Sequence, residues 1–164
     1  MAENYKLIDG NLVTCAIVMI NSAGDILAVH TTGRKPNEGY DFPKGLANED
    51  ESDALAAARE LKEETDIYIY DPDNKSNWSE IYKLVDCGIH PHSKGKLIHI
   101  FLYKTEYFPD LRNLKCTSYF ERNGKQYPEV DGYAVISKEN RFKFNKILQD
   151  KFEIIDNANH AYNH

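Results

Sequence analysis

Leu12 to Ile20 reads LVTCAIVMI, an apolar, β-branched run broken only by Thr14. Such a run predicts a buried strand. Asn21-Ser22-Ala23-Gly24 is a turn signal, and Asp25 to His30 predicts an antiparallel partner. Thr31 to Tyr40, with Gly33, Pro36 and Gly39, predicts a loop. The period then changes. Ala54, Leu55, Ala58 and Leu61 fall on a stripe roughly 120° wide at about 100° per residue, with Ser52 or Asp53 placed to cap the helix they imply. Glu60, Glu63 and Glu64 point broadly away from that stripe.

Ile67 to Tyr70 predicts a short strand ended by Asp71-Pro72-Asp73. Ile81 to Cys87 and Leu97 to Tyr103 predict two more, joined by a loop around Pro91 and Gly95. Phe108 to Gln126 is less regular, with a hairpin signal at Asn123-Gly124. Tyr133 to Ile136 predicts a strand, and Ser137 a cap for a helix from Lys138 to Phe152 with Phe142, Ile147 and Leu148 among its apolar positions. The last dozen residues read as frayed. Strands, helix, strands, helix in that order predict an α+β fold in which a layered sheet carries flanking helices.

The 164 residues suit one domain, 1–164, with a sizeable core. No run of 18 apolar residues predicts a membrane span, and MAENYKLIDG lacks the features of a signal peptide. Cys15, Cys87 and Cys116 are odd in number and widely spaced, which predicts neither a disulfide framework nor a zinc site and points to a cytoplasmic location. His90, His92 and His99 form no zinc pattern; His90 and His92 flank Pro91 in a loop that could border the site but read rather as surface residues. A formal net charge of −6 disfavours a broad surface for duplex nucleic acid or an anionic membrane. It leaves room for a small phosphorylated ligand if a metal supplies local positive charge.

Arg59-Glu60-Leu61-Lys62-Glu63-Glu64 puts three carboxylates at i, i+3 and i+4, within about one helical turn. Three like charges so close repel one another unless a counter-ion joins them. Mg²⁺, a hard cation, takes such oxygen ligands together with water and substrate phosphate oxygens. The motif also extends beyond the helix: Gly45, five residues, Glu51, seven residues, Arg59-Glu60, apolar Leu61, any residue, Glu63-Glu64, any residue, Asp66, apolar Ile67. This closely resembles the box of the Nudix hydrolases, every defined position matching except the last glycine, which is Asp66 here. Asp is among the few residues other than glycine that enter the left-handed region, so Asp66 is expected to close the helix at modest cost.

The resemblance implies a Nudix-like α/β/α sandwich with a mixed central sheet, and hydrolysis of a nucleoside diphosphate linked to another group. It makes Glu60 and Glu64 metal ligands, with Glu63 a further ligand or base and Glu60 the competing base. Arg59 braces the carboxylates, Glu51 is a further metal-site or bracing acid, and Gly45 presents a backbone carbonyl. A glutamate from a late strand joins the metal site in many members, which points to Glu129, with Asp131 as competitor. Phe42-Pro43-Lys44-Gly45 looks like the entry to the box in dinucleoside polyphosphate and diphosphoinositol polyphosphate branches. Lys44 then contacts phosphate, with Arg34 and Lys35 as weaker candidates. Tyr40, Tyr103 and Tyr133 are loose candidates for base stacking.

The implied cofactor is Mg²⁺ or Mn²⁺, lowering the pKa of a bound water that attacks phosphorus. Dinucleoside polyphosphates are the leading substrate class. RNA 5′ ends, ADP-ribose, nucleoside triphosphates and diphosphoinositol polyphosphates stay open, as does a homodimer. The reading from another class is a catalytically silent module that binds a nucleotide, against which the intact acid set argues.

Overall fold

The computed structural model describes residues 4–69 and 78–161. Its elements are β1 (Leu7–Ile8), β2 (Asn11–Ile20), β3 (Ile26–Thr31), β4 (Lys44–Leu46), α1 (Asp53–Thr65), α2 (Trp78–Ile81), β5 (Val85–Ser93), β6 (Lys96–Lys104), β7 (Tyr119–Arg122), β8 (Lys125–Pro128), β9 (Val130–Ile136) and α3 (Phe152–Ala161). The main sheet runs β5-β6-β2-β3-β9, with β1 and β4 also paired to β2, and β7-β8 is a separate two-stranded ribbon. The sheet is mixed: β2 and β6 are parallel, while β2–β4, β3–β9 and β5–β6 are antiparallel.

The sheet carries a core on each face, which explains the unbroken apolar run of β2. Ala16, Val18 and Ile20 pack with Phe42, Phe144, Leu148, Phe152 and Ile155 on the α3 side. Val13, Cys15 and Ile17 pack with Ala56, Ala57, Ala58 and Leu61 on the α1 side. This is the layered sandwich expected from the sequence. Among the described residues no helix is long and apolar enough to cross a membrane.

One feature of the topology builds the site. β2 pairs with β3 only at Ile20↔Ile26. Beyond that point the two diverge, and the segment from Asp41 to Leu46 fills the gap. Asp41 exchanges both backbone hydrogen bonds with Val29, the Ile17 amide donates to the Pro43 carbonyl, and Lys44, Gly45 and Leu46 pair with Ala16, Cys15 and Thr14. The residues entering the helix are thereby held in the sheet itself.

Several local expectations are corrected. Residues 67–69 form no strand: the chain leaves α1 through a left-handed residue and pairs with no strand among the described residues there; Tyr70, the rest of that expected strand, lies outside the described residues. β5 begins at Val85 rather than Ile81 and runs through Pro91 to Ser93. It is an edge strand with register shifts near Gly88 and Pro91, which is where a residue lacking an N–H is tolerated. The helix expected from Lys138 to Phe152 is two 3₁₀ segments, Lys138–Lys143 and Lys146–Lys151, separated by extended Phe144 and Asn145. The α-helix starts only at Phe152 and continues to Ala161, with Ile155 fully buried, where the sequence suggested fraying.

Candidate functional site

Helix α1 is set by its ends. The Ser52 hydroxyl accepts from the Leu55 amide at 3.2 Å, and Asp66 closes the helix at φ 65°, ψ 20°, its amide donating to the Lys62 carbonyl. The unusual aspartate therefore does what the missing glycine would do. Ala56, Ala57, Ala58 and Leu61 are buried against the sheet, whereas Leu55 is only partly covered, so the apolar stripe is shifted from the one read in the sequence.

The acids lie away from that apolar face and line a site, as expected, but Glu60 and Glu64 are each only 7% exposed, held under β4. Gly45 makes that possible. A Cβ there would stand 2.1 Å from the Glu60 carboxyl carbon, so only glycine leaves room for the carboxylate. The Lys44 amide donates to Glu64 Oε1 at 3.1 Å. Glu129, between β8 and β9, brings a third carboxylate, and oxygens of Glu60, Glu64 and Glu129 lie within 4.8 Å of one another. Asp131 turns away to pair with His30 Nδ1 at 2.5 Å.

Arg59 ties the remaining acids to this trio. Its guanidinium donates to Glu51 Oε1 and Oε2 at 2.7 and 3.1 Å, to Glu60 Oε1 at 2.9 Å, to Glu63 Oε1 at 3.2 Å and to the Leu46 carbonyl at 3.1 Å. A planar fork can serve that many acceptors; an ammonium cannot. Lys44, Gly45, Leu46, Asn48, Arg59, Glu60, Glu63 and Glu129, with Tyr5, line a cavity of about 330 Å³. Lys44 is thus at the site. Arg34 instead pairs with buried Asp41 at 2.8 Å, and Lys35 is exposed in the preceding loop, so neither lines the cavity. Of the tyrosines singled out, Tyr40 meets His30 edge-on, Tyr103 donates to Glu80, and Tyr133 donates to the Glu64 carbonyl.

Burial, with Glu63 close by, pushes the Glu60 carboxyl up to about 7. Burial and the Glu60 charge raise Glu64 well above the usual carboxylate range, against the pull of the Lys44 amide and ammonium. Burial would raise Glu51 too, but the hydrogen bonds from Arg59 and the Asn48 amide outweigh it and hold Glu51 low. Among the described residues, Arg59 is the one cationic side chain bonded to the trio, and it reaches only Glu60. Three converging carboxylate oxygens short of positive charge are a hard-oxygen donor set that fits Mg²⁺ or Mn²⁺.

Other partners of the site were not legible in the sequence. The Ser118 hydroxyl donates to Glu129 Oε2 at 3.4 Å, and the Glu129 amide donates to the Ser118 carbonyl. The amides of Lys115 and Thr117 donate to the Thr65 and Glu63 carbonyls, capping the end of α1. At the other end of the helix, His99 places its two ring nitrogens 2.6 Å from Asp53 and 2.7 Å from Asp86, and Lys6 reaches Asp53 at 2.5 Å. His99 is therefore a structural bridge between α1 and β5.

The geometry has relatives. A bifunctional NMN adenylyltransferase/ADP ribose pyrophosphatase from Francisella tularensis, complexed with AMP and a Mn ion, superposes with a TM-score of 0.64 at 18% identity. The match covers 90% of this chain and 42% of that one, so the chain spans less than half of the bifunctional protein. The NUDIX domain of Shewanella oneidensis NrtR, complexed with ADP ribose, gives a TM-score of 0.60 at 13% identity, covering 92% and 88% of the two chains. A MutT protein from Methanosarcina mazei gives 0.53 at 19% identity, covering 97% and 98%. No curated protein sequence matches the chain. The NUDIX domain model matches residues 10–129, from just before β2 to the third carboxylate. The chain belongs to the NUDIX domain family.

Proposed function

We propose that this Nudix hydrolase is a metal-dependent pyrophosphohydrolase of nucleoside diphosphate derivatives, and that its Glu60, Glu64 and Glu129 hold Mg²⁺ or Mn²⁺. The observation that carries this reading is the convergence of those three carboxylates in a cavity lined by Lys44 and Arg59. When bound, the cation supplies Lewis-acid activation of water and neutralises charge developing on phosphate oxygens. The chain's own groups do the rest. Arg59 fixes Glu60 and Glu63 relative to each other and to Glu51. Glu63, about one-third exposed and on the cavity wall, keeps the solvent access a proton acceptor needs, while Glu60 and Glu64 are sunk beneath β4. Lys44 offers its ammonium to a substrate phosphate at the cavity edge.

The substrate reading stays with dinucleoside polyphosphates, on the strength of the Phe42-Pro43-Lys44-Gly45 entry. ADP-ribose is the second reading, favoured by structural neighbours that include an ADP ribose pyrophosphatase and a domain complexed with ADP ribose. The test is product analysis by mass spectrometry after incubation with Mg²⁺ or Mn²⁺. The panel holds diadenosine polyphosphates, ADP-ribose, nucleoside triphosphates, diphosphoinositol polyphosphates and triphosphorylated RNA. One class is expected to be cleaved, with Glu64→Gln slower by on the order of 10²-fold or more. Binding of nucleotide without turnover of any panel member would overturn the hydrolase assignment in favour of a binding module.

A further inference from the structure

The β7–β8 ribbon is not part of the main sheet, and the proposed reaction leaves it without a role. Its register pairs Phe120 with Tyr127 and Arg122 with Lys125, so alternation puts these four on one face. The Phe120 and Tyr127 rings stack, with centroids 5.8 Å apart and planes at 30°, and the Arg122 guanidinium lies 5.4 Å from the Phe120 centroid. Tyr127 is 37% exposed. A cross-strand aromatic pair stabilises any hairpin, but three further facts set this one next to Glu129 and the loop after β3. The ribbon's base is the Ser118–Glu129 pair, so the strand carrying Tyr127 runs directly into the third carboxylate. The Thr32 amide donates to the Glu129 carbonyl, joining the loop after β3 to the same corner. Arg122 Nη1 lies 3.8 Å from where a Cβ on Gly33 would stand, so the aromatic face is turned toward that loop, which also carries Arg34 and Lys35.

From this placement we propose that the Phe120–Tyr127 face is the docking site for the nucleobase of the substrate; the inference rests on the nucleotide reading above. The occupant follows from chemistry. Aromatic rings stack on a base whatever its identity. Arg122 and Lys125 on the ribbon, with exposed Lys35 in the loop beside Gly33, supply positive charge in a chain of net charge −6, complementary to a polyphosphate. Tyr127 is two residues from Glu129, about 7 Å along the strand, a gap that one ribose spans between a base on the ribbon and a phosphate at the carboxylates. Base and phosphate are thus held by neighbouring elements. The ribbon supplies affinity for the nucleoside and little discrimination among bases.

The test titrates the Mn²⁺-loaded protein with AMP and with ribose 5-phosphate, which differ only by the base, using calorimetry. The wild type should bind AMP about tenfold more tightly. Phe120→Leu/Tyr127→Leu keeps apolar bulk on the ribbon but removes both rings. It should bring the AMP to ribose 5-phosphate ratio close to one, with Mn²⁺ and ribose 5-phosphate affinities unchanged. A preference for AMP that survives in the variant, or a wild type with no such preference, would overturn the docking site and leave the hydrolase reading standing. A wild type that takes up Mn²⁺ but neither ligand would overturn the nucleotide reading, and the docking site with it.

Discussion

At the scale of single residues the site depends on close approach and on shared donors. Gly45 illustrates the first. Its backbone would accept alanine, but a methyl group would occupy the space of the Glu60 carboxylate. Gly45→Ala should cost about 1–3 kcal/mol through overpacking and weaken Mn²⁺ binding, read by thermal unfolding and by metal titration. Unchanged Mn²⁺ affinity would remove Glu60 from the ligand set. Arg59 illustrates the second: one planar cation holds three glutamates and a carbonyl. The sequence pointed to these residues because i, i+3 and i+4 spacing brings side chains together whatever the rest of the fold does. It did not show that Glu60 and Glu64 are buried, since their polarity marks an outward face until β4 is laid over them.

At the scale of elements, α1 is the part that carries most of its own instructions. Ser52 starts it and Asp66 ends it. A left-handed residue other than glycine carries strain of roughly 1 kcal/mol, less for Asp than for most. Asp66→Gly should therefore raise stability by up to about 1 kcal/mol and leave turnover unchanged; a fall in turnover would show that the Asp66 carboxylate itself serves the reaction. The segment from Lys115 to Ser118 is the opposite case. It reads as irregular in sequence, yet it caps α1 and holds Glu129. Ser118→Ala should weaken Mn²⁺ binding by about tenfold, as expected of a partner that orients a ligand, and Ser118→Thr should restore it. In a Glu129→Gln background the same change should have no effect. A loss of equal size in that background would mean that Ser118 acts on stability alone. Local pattern also misjudged the chain's end, where Phe152–Ala161 is helical because Phe152 and Ile155 find the α3-side core.

At the scale of the whole molecule, packing sets the charge state of groups that belong to no motif. His92 is pushed down to about 4, first by burial and then by Lys44, with Lys96 and Lys151 adding to the effect and Asp41 opposing it. These charges come from separate stretches of the chain that only the fold gathers. A histidine held neutral when folded but protonated when unfolded below about 6.5 favours unfolding in acid. The His92 contribution to stability should thus fall as pH drops from about 6.5 toward about 4. Glu60 and Glu64, whose raised carboxyls take up protons in the folded state first, oppose it over part of that range. In the profile of melting temperature against pH, His92→Gln should therefore gain on the wild type as pH falls through this window. An unaltered profile would refute the burial argument, with loss of Glu51 and Asp53 ion pairs responsible only at lower pH. The division between sequence and structure follows the same line. By itself the sequence determined the buried strand β2, the capped helix, the turn at Asn123-Gly124 and the acid spacing, because each is decided by neighbours within a few residues. Only the tertiary structure decided that Glu129 rather than Asp131 completes the trio, that Lys44 and not Arg34 borders the cavity, and that Ser118 holds the third carboxylate. Those outcomes depend on where β4, β9 and the ribbon meet α1, and contacts between segments distant in the chain leave no period in its sequence.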